Sequence, residues 1–79
     1  MEARDFEVVL SALRKAVEHG ERARRDSAVR EVMRIADLIE HYLPVTANIE
    51  QAILTARTYV RFGKPAQAIT SLEEALQDA

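Results

Sequence analysis

Two histidines, His19 and His41, are the first residues in this chain that invite a chemical reading, because imidazole ligates metals and moves protons near neutral pH. Each stands near the end of a segment with helical periodicity. In an antiparallel hairpin those ends point opposite ways, so a second helix of about 17 residues, rising 1.5 Å per residue, holds the rings some 25 Å apart. They share no metal on that geometry, and the negative end of a helix dipole accounts for both positions. The acids Glu40, Glu73, Glu74 and Asp78 show no Glu-x-x-His or His-x-x-x-His spacing, so no di-metal site is expected. There is no glycine-rich phosphate loop, serine elbow or nucleotide fingerprint. With no cysteine, thiolate zinc sites, disulfides and thiol nucleophiles are excluded together. No enzyme, no metal and no cofactor is the resulting expectation.

The basic residues are the next candidates. Arg22, Arg24 and Arg25 cluster, with Arg14, Lys15, Arg30 and Arg34 on either side. Glu18, Glu21, Asp26 and Glu31 interleave with them, Glu18 to Arg22 and Glu21 to Arg25 lie four residues apart, and no aromatic is near to stack a base. That pattern reads as a solvated salt-bridge surface. A net charge of −2 and a pI near 5.6 likewise argue against nucleic acid or an anionic membrane as partner. The apolar runs are short and the first residues lack a signal-peptide pattern, so a cytoplasmic location is expected.

The elements that carry these residues follow from periodicity. Hydrophobic residues make up 48% and charged residues 30% of 79 positions, a globular balance for one small domain with a thin core. Phe6, Val9, Leu10, Leu13 and Val17 recur at helical spacing, predicting a helix from about 5 to 19 that Gly20 closes. The polar stretch 20–26 reads as a loop, with Asp26 or Ser27 capping a second helix. Val29, Val32, Met33, Ile35, Ala36, Ile39, Tyr42 and Leu43 cover a broad face of that helix until Pro44 ends it. Thr46 is placed to cap a third helix with Ile49, Ala52, Ile53, Ala56, Tyr59 and Val60 on one side. Gly63 and Pro65 then mark a tight turn into a fourth, which buries Ala68, Ile69, Leu72, Ala75 and Leu76. No alternating β pattern survives. The predicted fold is all-α: residues 1–79 as one domain of two antiparallel helical hairpins, about 5–43 and 45–79, arranged as a repeat pair or a small four-helix bundle.

The two hairpins align with each other. An offset of 43 pairs Glu7 with Glu50, Leu10 with Ile53, Arg14 with Arg57, Val17 with Val60 and Gly20 with Gly63. An offset of 40 then pairs Ala28, Val32, Ile35 and Ala36 with Ala68, Leu72, Ala75 and Leu76. The run Ala56, Tyr59, Gly63, Ala68, Leu72, Ala75 resembles the tetratricopeptide repeat, well over residues 49–79 and weakly over 6–36. Ala52 stands where that family has a large residue, and the spacing between hairpins exceeds its usual one. In size and acidity the chain is also similar to short tetratricopeptide-type chaperones of type III secretion needle subunits.

The resemblance implies a groove lined by the first helix of each hairpin, with Leu10, Arg14 and Val17 joined by Ile53, Arg57, Val60 and Arg61 as partner-binding residues. Arg14 and Arg57 would stand side by side to hold a partner's carboxylates. Two hairpins alone leave an apolar flank, so self-association or a heterocomplex is expected, with Phe62, Leu54, Leu38 and the outer side of the fourth helix off the main buried stripes. The functional expectation is a protein-protein interaction module, as adaptor, assembly factor or small chaperone. A structural subunit of a larger assembly is the alternative, and a helical metal or ligand-binding protein a lesser one.

Overall fold

Four amphipathic segments joined by short turns hide their apolar stripes by turning them toward a common centre. In the computed structural model, which describes residues 2–19 and 22–78 and leaves out the side chains of 22–25, they form α1 (Ala3–Glu18), α2 (Arg22–Tyr42), α3 (Ala47–Arg61) and α4 (Pro65–Gln77). The helices are arranged as a small four-helix bundle of 34 × 22 × 18 Å. Neighbours in sequence are neighbours in space, and α4 closes the ring against α1. α2 and α4 also touch across the middle, while α1 and α3 occupy opposite corners and do not meet.

Local chemistry sets the helix boundaries. The Asp5 carboxylate accepts from the Glu2 amide at 2.9 Å, starting α1 two residues before the periodicity alone suggests. Thr46 caps α3 as expected, its hydroxyl accepting from the Ile49 amide at 3.2 Å. At the far end of α3 the Lys64 amide donates to the Tyr59 carbonyl and the Gly63 amide to that of Val60, with Gly63 at φ +72°. This paired closure needs a left-handed residue, which glycine adopts without strain. Pro65 then opens α4, where its missing N–H costs nothing.

One boundary differs from expectation. α2 begins at Arg22, four to five residues before the predicted caps Asp26 and Ser27. Arginine and alanine are good helix formers, and a polar stretch with no proline does not stop a helix. Gly20, the predicted closing residue of the first helix, and Glu21 lie outside the described residues.

The core holds Phe6, Leu10, Val32, Ile39, Ile53, Ile69 and Leu72 fully buried, and no buried polar or charged residue occurs among the described ones. Five repeat-matched pairs are buried in both hairpins, Phe6 with Ile49, Leu10 with Ile53, Ala28 with Ala68, Val32 with Leu72 and Ala36 with Leu76, whereas Val9 is exposed and Leu13 partly buried where Ala52 and Ala56 are buried. The hairpins differ in how tightly they close. α3 and α4 meet along most of their length, whereas α1 leans on α4 and meets α2 over much less. Side-chain size explains this, since Ala52, Ala56 and Ala68 let α3 and α4 approach closely, and Val9 and Leu13 stand where α3 has Ala52 and Ala56.

Two local tests follow. Thr46→Ala removes one cap bond and should cost about 1 kcal/mol in urea unfolding. Gly63→Ala meets no atom within 4 Å, so its loss, also about 1 kcal/mol, should come from backbone strain alone.

Candidate interaction surface

The residues assigned to a partner groove from sequence are divided by the fold. Leu10, Val17 and Ile53 are core residues with 0, 7 and 1% exposure, because the stripe that carries them is the one α1 and α3 turn inward. They offer nothing to a partner in the folded chain. Val60 is partly buried against that core, and Arg61 is exposed at the end of α3. With α1 and α3 at opposite corners, Arg14 and Arg57 do not stand side by side, which corrects the expected pair.

Each arginine instead holds carboxylates of its own chain. Arg14 Nε donates to Glu73 Oε1 at 2.8 Å across the seam between α1 and α4, and its Nη1 lies 3.4 Å from Glu18 Oε1. Arg57 Nη2 lies 3.6 Å from both Asp37 Oδ1 and Glu40 Oε1 across the seam between α3 and α2. The repeat-matched arginines thus bridge two of the three helix pairs through which the hairpins meet. Glu73's hydrogen bond and charge raise the Arg14 pKa above its ordinary value. A base with a raised folded pKa contributes stability at every pH below its unfolded value and loses it only as pH rises through the folded one. For arginine that window is strongly alkaline, so Arg14 itself confers no pH dependence near neutrality. Arg14 is a third exposed, and solvent screens the pair.

The histidines stay apart from any site. His19 follows α1 and His41 lies in the last turn of α2, its ring edge-to-face with Tyr42 at 4.8 Å. No group of three metal-ligating side chains occurs among the described residues. No helix among them is long and apolar enough to cross a membrane. The side chains of Arg22, Arg24 and Arg25 lie outside the described ones.

One open groove lies where α1 and α2 diverge, and a wider, more polar one of about 600 Å³ lies between α1 and α4. A groove of about 430 Å³ is lined by Val9, Ala12, Leu13 and Ala16 from α1 and by Glu31, Arg34, Ile35 and Leu38 from α2. Val9 is 43% exposed. Six of the eight lining positions have repeat-matched counterparts in a shallower groove of about 300 Å³ between α3 and α4: Ala52, Thr55, Ser71, Glu74, Ala75 and Asp78. There Ala12 becomes Thr55, Ile35 becomes Ala75 and Leu38 becomes Asp78, with Asn48 and Gln51 completing the lining. The same place in the same fold is more apolar in the first hairpin than in the second. A polar groove is at rest against water, whereas an apolar one gains from being covered.

Periodicity places Val9, Leu13 and Ile35 on the buried stripes, which holds for Ile35 and partly for Leu13 but not for the exposed Val9; of the groove residues, Leu38 is the one it sets off those stripes. The signal that separates them was present in the repeat alignment, as the contrast between Leu38 and Asp78 and between Ala12 and Thr55. Comparison of the chain with protein-family models, with curated proteins and with solved structures finds no match.

Stability and surface roles are separable by substitution. Leu10→Ala and Ile53→Ala should each cost about 2–5 kcal/mol in chemical unfolding, whereas Leu38→Ala at the groove should cost about 1 kcal/mol or less. A double-mutant cycle on Arg14→Ala and Glu73→Ala should show favourable coupling, and strict additivity would contradict the seam role.

Proposed function

We propose that this chain is a protein-protein interaction module of the adaptor, assembly-factor or small-chaperone kind, and that it receives a partner polypeptide on the groove between α1 and α2. The observation that carries the reading is that this groove is more apolar than its repeat-matched counterpart, with Ala12 and Leu38 where the other has Thr55 and Asp78. Val9, Leu13, Ile35 and Leu38 form a strip at helical spacing with one acid and one base at its edge. This is the composition that accepts an amphipathic helix: aliphatic contacts supply affinity and the flanking charges set orientation. Val9 is the half-exposed member of the strip, Leu13 and Leu38 are partly buried and Ile35 is buried beneath them, so a partner gains chiefly by covering Val9 and the outer edges of the two leucines.

The likeness of residues 49–79 to tetratricopeptide hairpins supports a binding role on sequence grounds, and the acidic balance fits a cytoplasmic protein that meets other proteins rather than nucleic acid. The alternative, a structural subunit in a larger assembly, draws on a different surface. Leu54 on α3 and Phe62 just past its end are 50 and 70% exposed, about two turns apart, and would be the contact there.

A photoreactive phenylalanine analogue placed singly at position 38, 54 or 78 distinguishes these readings in the cell that makes the protein. Polypeptide adducts at 38 and none at 78 are expected. Adducts at 54 alone would favour the structural subunit, and no adduct at any position would remove the interaction reading.

A further inference from the structure

We infer that copies of this chain associate head to tail, the end of the bundle where α1 finishes and α2 begins seating on the opposite end of the next copy. The surfaces involved are the two ends and not the α1–α2 groove, so this association stands or falls separately from the proposed function.

Topology decides which charges share an end. The connections 19–21, 43–46 and 62–64 are too short for anything but a reversal between packed neighbours, so the helices run alternately up and down. Tyr59 near the end of α3 accordingly shares a groove with Ala66 and Gln67 at the start of α4. Cutting each helix at its midpoint gives segments 11–32 and 55–71 to one end, and segments 1–10, 33–54 and 72–79 to the other. The first end carries nine bases and four acids, a net charge of +5; the second carries two bases and nine acids, a net charge of −7. A chain of net charge −2 is therefore strongly polar along its length. The seam pairs of Arg14 with Glu73 and Glu18, and of Arg57 with Asp37 and Glu40, neutralise part of this. Without them seven bases stand against three acids at one end, and two bases against six acids at the other.

Helix stability does not account for the pattern. In α1 and α3 the acids lie in the first turn and the bases in the last, as the helix dipole favours. α2 and α4 are arranged the other way: α2 has no acid in its first turn, where Arg22, Arg24 and Arg25 stand, and α4 has no base in its last turn, where Glu74 stands. The sign of charge thus follows the end of the bundle and not the direction of the helix. Gathering like charges at one end also costs the fold through repulsion. A partner of opposite charge at each end offsets both costs.

The chain supplies that partner itself. A foreign anion would answer only the basic end and a foreign cation only the acidic one, whereas further copies answer both. Each end also offers apolar contact. Phe62, 70% exposed between Arg61 and Lys64, lies at the basic end, and Tyr42 and Val45, 52 and 50% exposed, lie at the acidic end. Contact between unlike ends of one molecule is heterologous, and with the ends opposed along the bundle it repeats without closing. The product is a chain of copies held largely by screened charge.

The test is the mass of the full chain by sedimentation velocity, from about 10 μM to about 1 mM protein, in about 20 mM and about 0.5 M salt. At low salt the mass should rise with concentration past that of a dimer without a plateau, and high salt should weaken association at least about tenfold. R61E/K64E at the basic end and E74K/D78K at the acidic end should each weaken self-association at least about tenfold. Mixed one to one, the two variants should pair through the intact acidic end of the first and the intact basic end of the second, and grow no further. All four positions are exposed, so the helical circular dichroism of both variants should match the parent. A parent that stays monomeric at low salt, a plateau at the dimer, association that survives high salt, or a mixture that remains monomeric would each overturn the inference. So would a monomeric parent that sediments with phosphatidylserine vesicles and not with phosphatidylcholine ones, which would give the basic end to lipid.

Discussion

The distance at which two helices settle is decided by the side chains between them, and in this bundle that single constraint produces both the tight hairpin and the open one. Ala52, Ala56 and Ala68 let α3 and α4 come together with little between them. α1 carries Val9 and Leu13 where α3 carries Ala52 and Ala56, and those larger groups hold α2 off. α1 recovers its burial by packing on α4 instead, which closes the ring. The groove between α1 and α2 is therefore not a defect of packing. It is what remains when one helix of a pair gives its best face to a different neighbour.

Closure also redirects the charges. In an open stack of hairpins, the first helices run side by side and their matched arginines share a face. In a ring they sit at opposite corners, and each finds carboxylates on the helix across the nearest seam: Arg14 on Glu73 of α4, Arg57 on Asp37 and Glu40 of α2. The chemistry expected of these guanidinium groups, the holding of carboxylates, is realised within the chain. Their removal from the partner surface leaves Glu31 and Arg34 as the charges that line the apolar groove, which gives those two residues their weight.

The internal repeat makes the contrast between grooves interpretable. The two hairpins share a plan and five matched pairs are buried in both, but they close to different degrees. Where they diverge in polarity at the same place, the difference reports on surroundings rather than on folding. Asp78 and Thr55 face water; Leu38 and Ala12 are better suited to a covering surface.

By itself the sequence determined what depends on neighbours along the chain. The helical period of Phe6, Leu10 and Val17, the cap at Thr46, the stop at Pro44 and the Gly63-Pro65 turn are local physics, and each is where it was expected. The start of α2 was misplaced because a polar stretch and a helix start differ only by weak propensities when no proline intervenes. The tertiary structure alone decided whether the hairpins stack or close, because that choice turns on which pairs of helices approach most nearly across the whole molecule. It follows that Leu10, Val17 and Ile53 are inside, that Arg14 and Arg57 are apart, and that Val9, Ala12, Leu13 and Leu38 line an open surface. A stripe at helical spacing states that a face wants cover; only the arrangement of all four helices states which faces receive it.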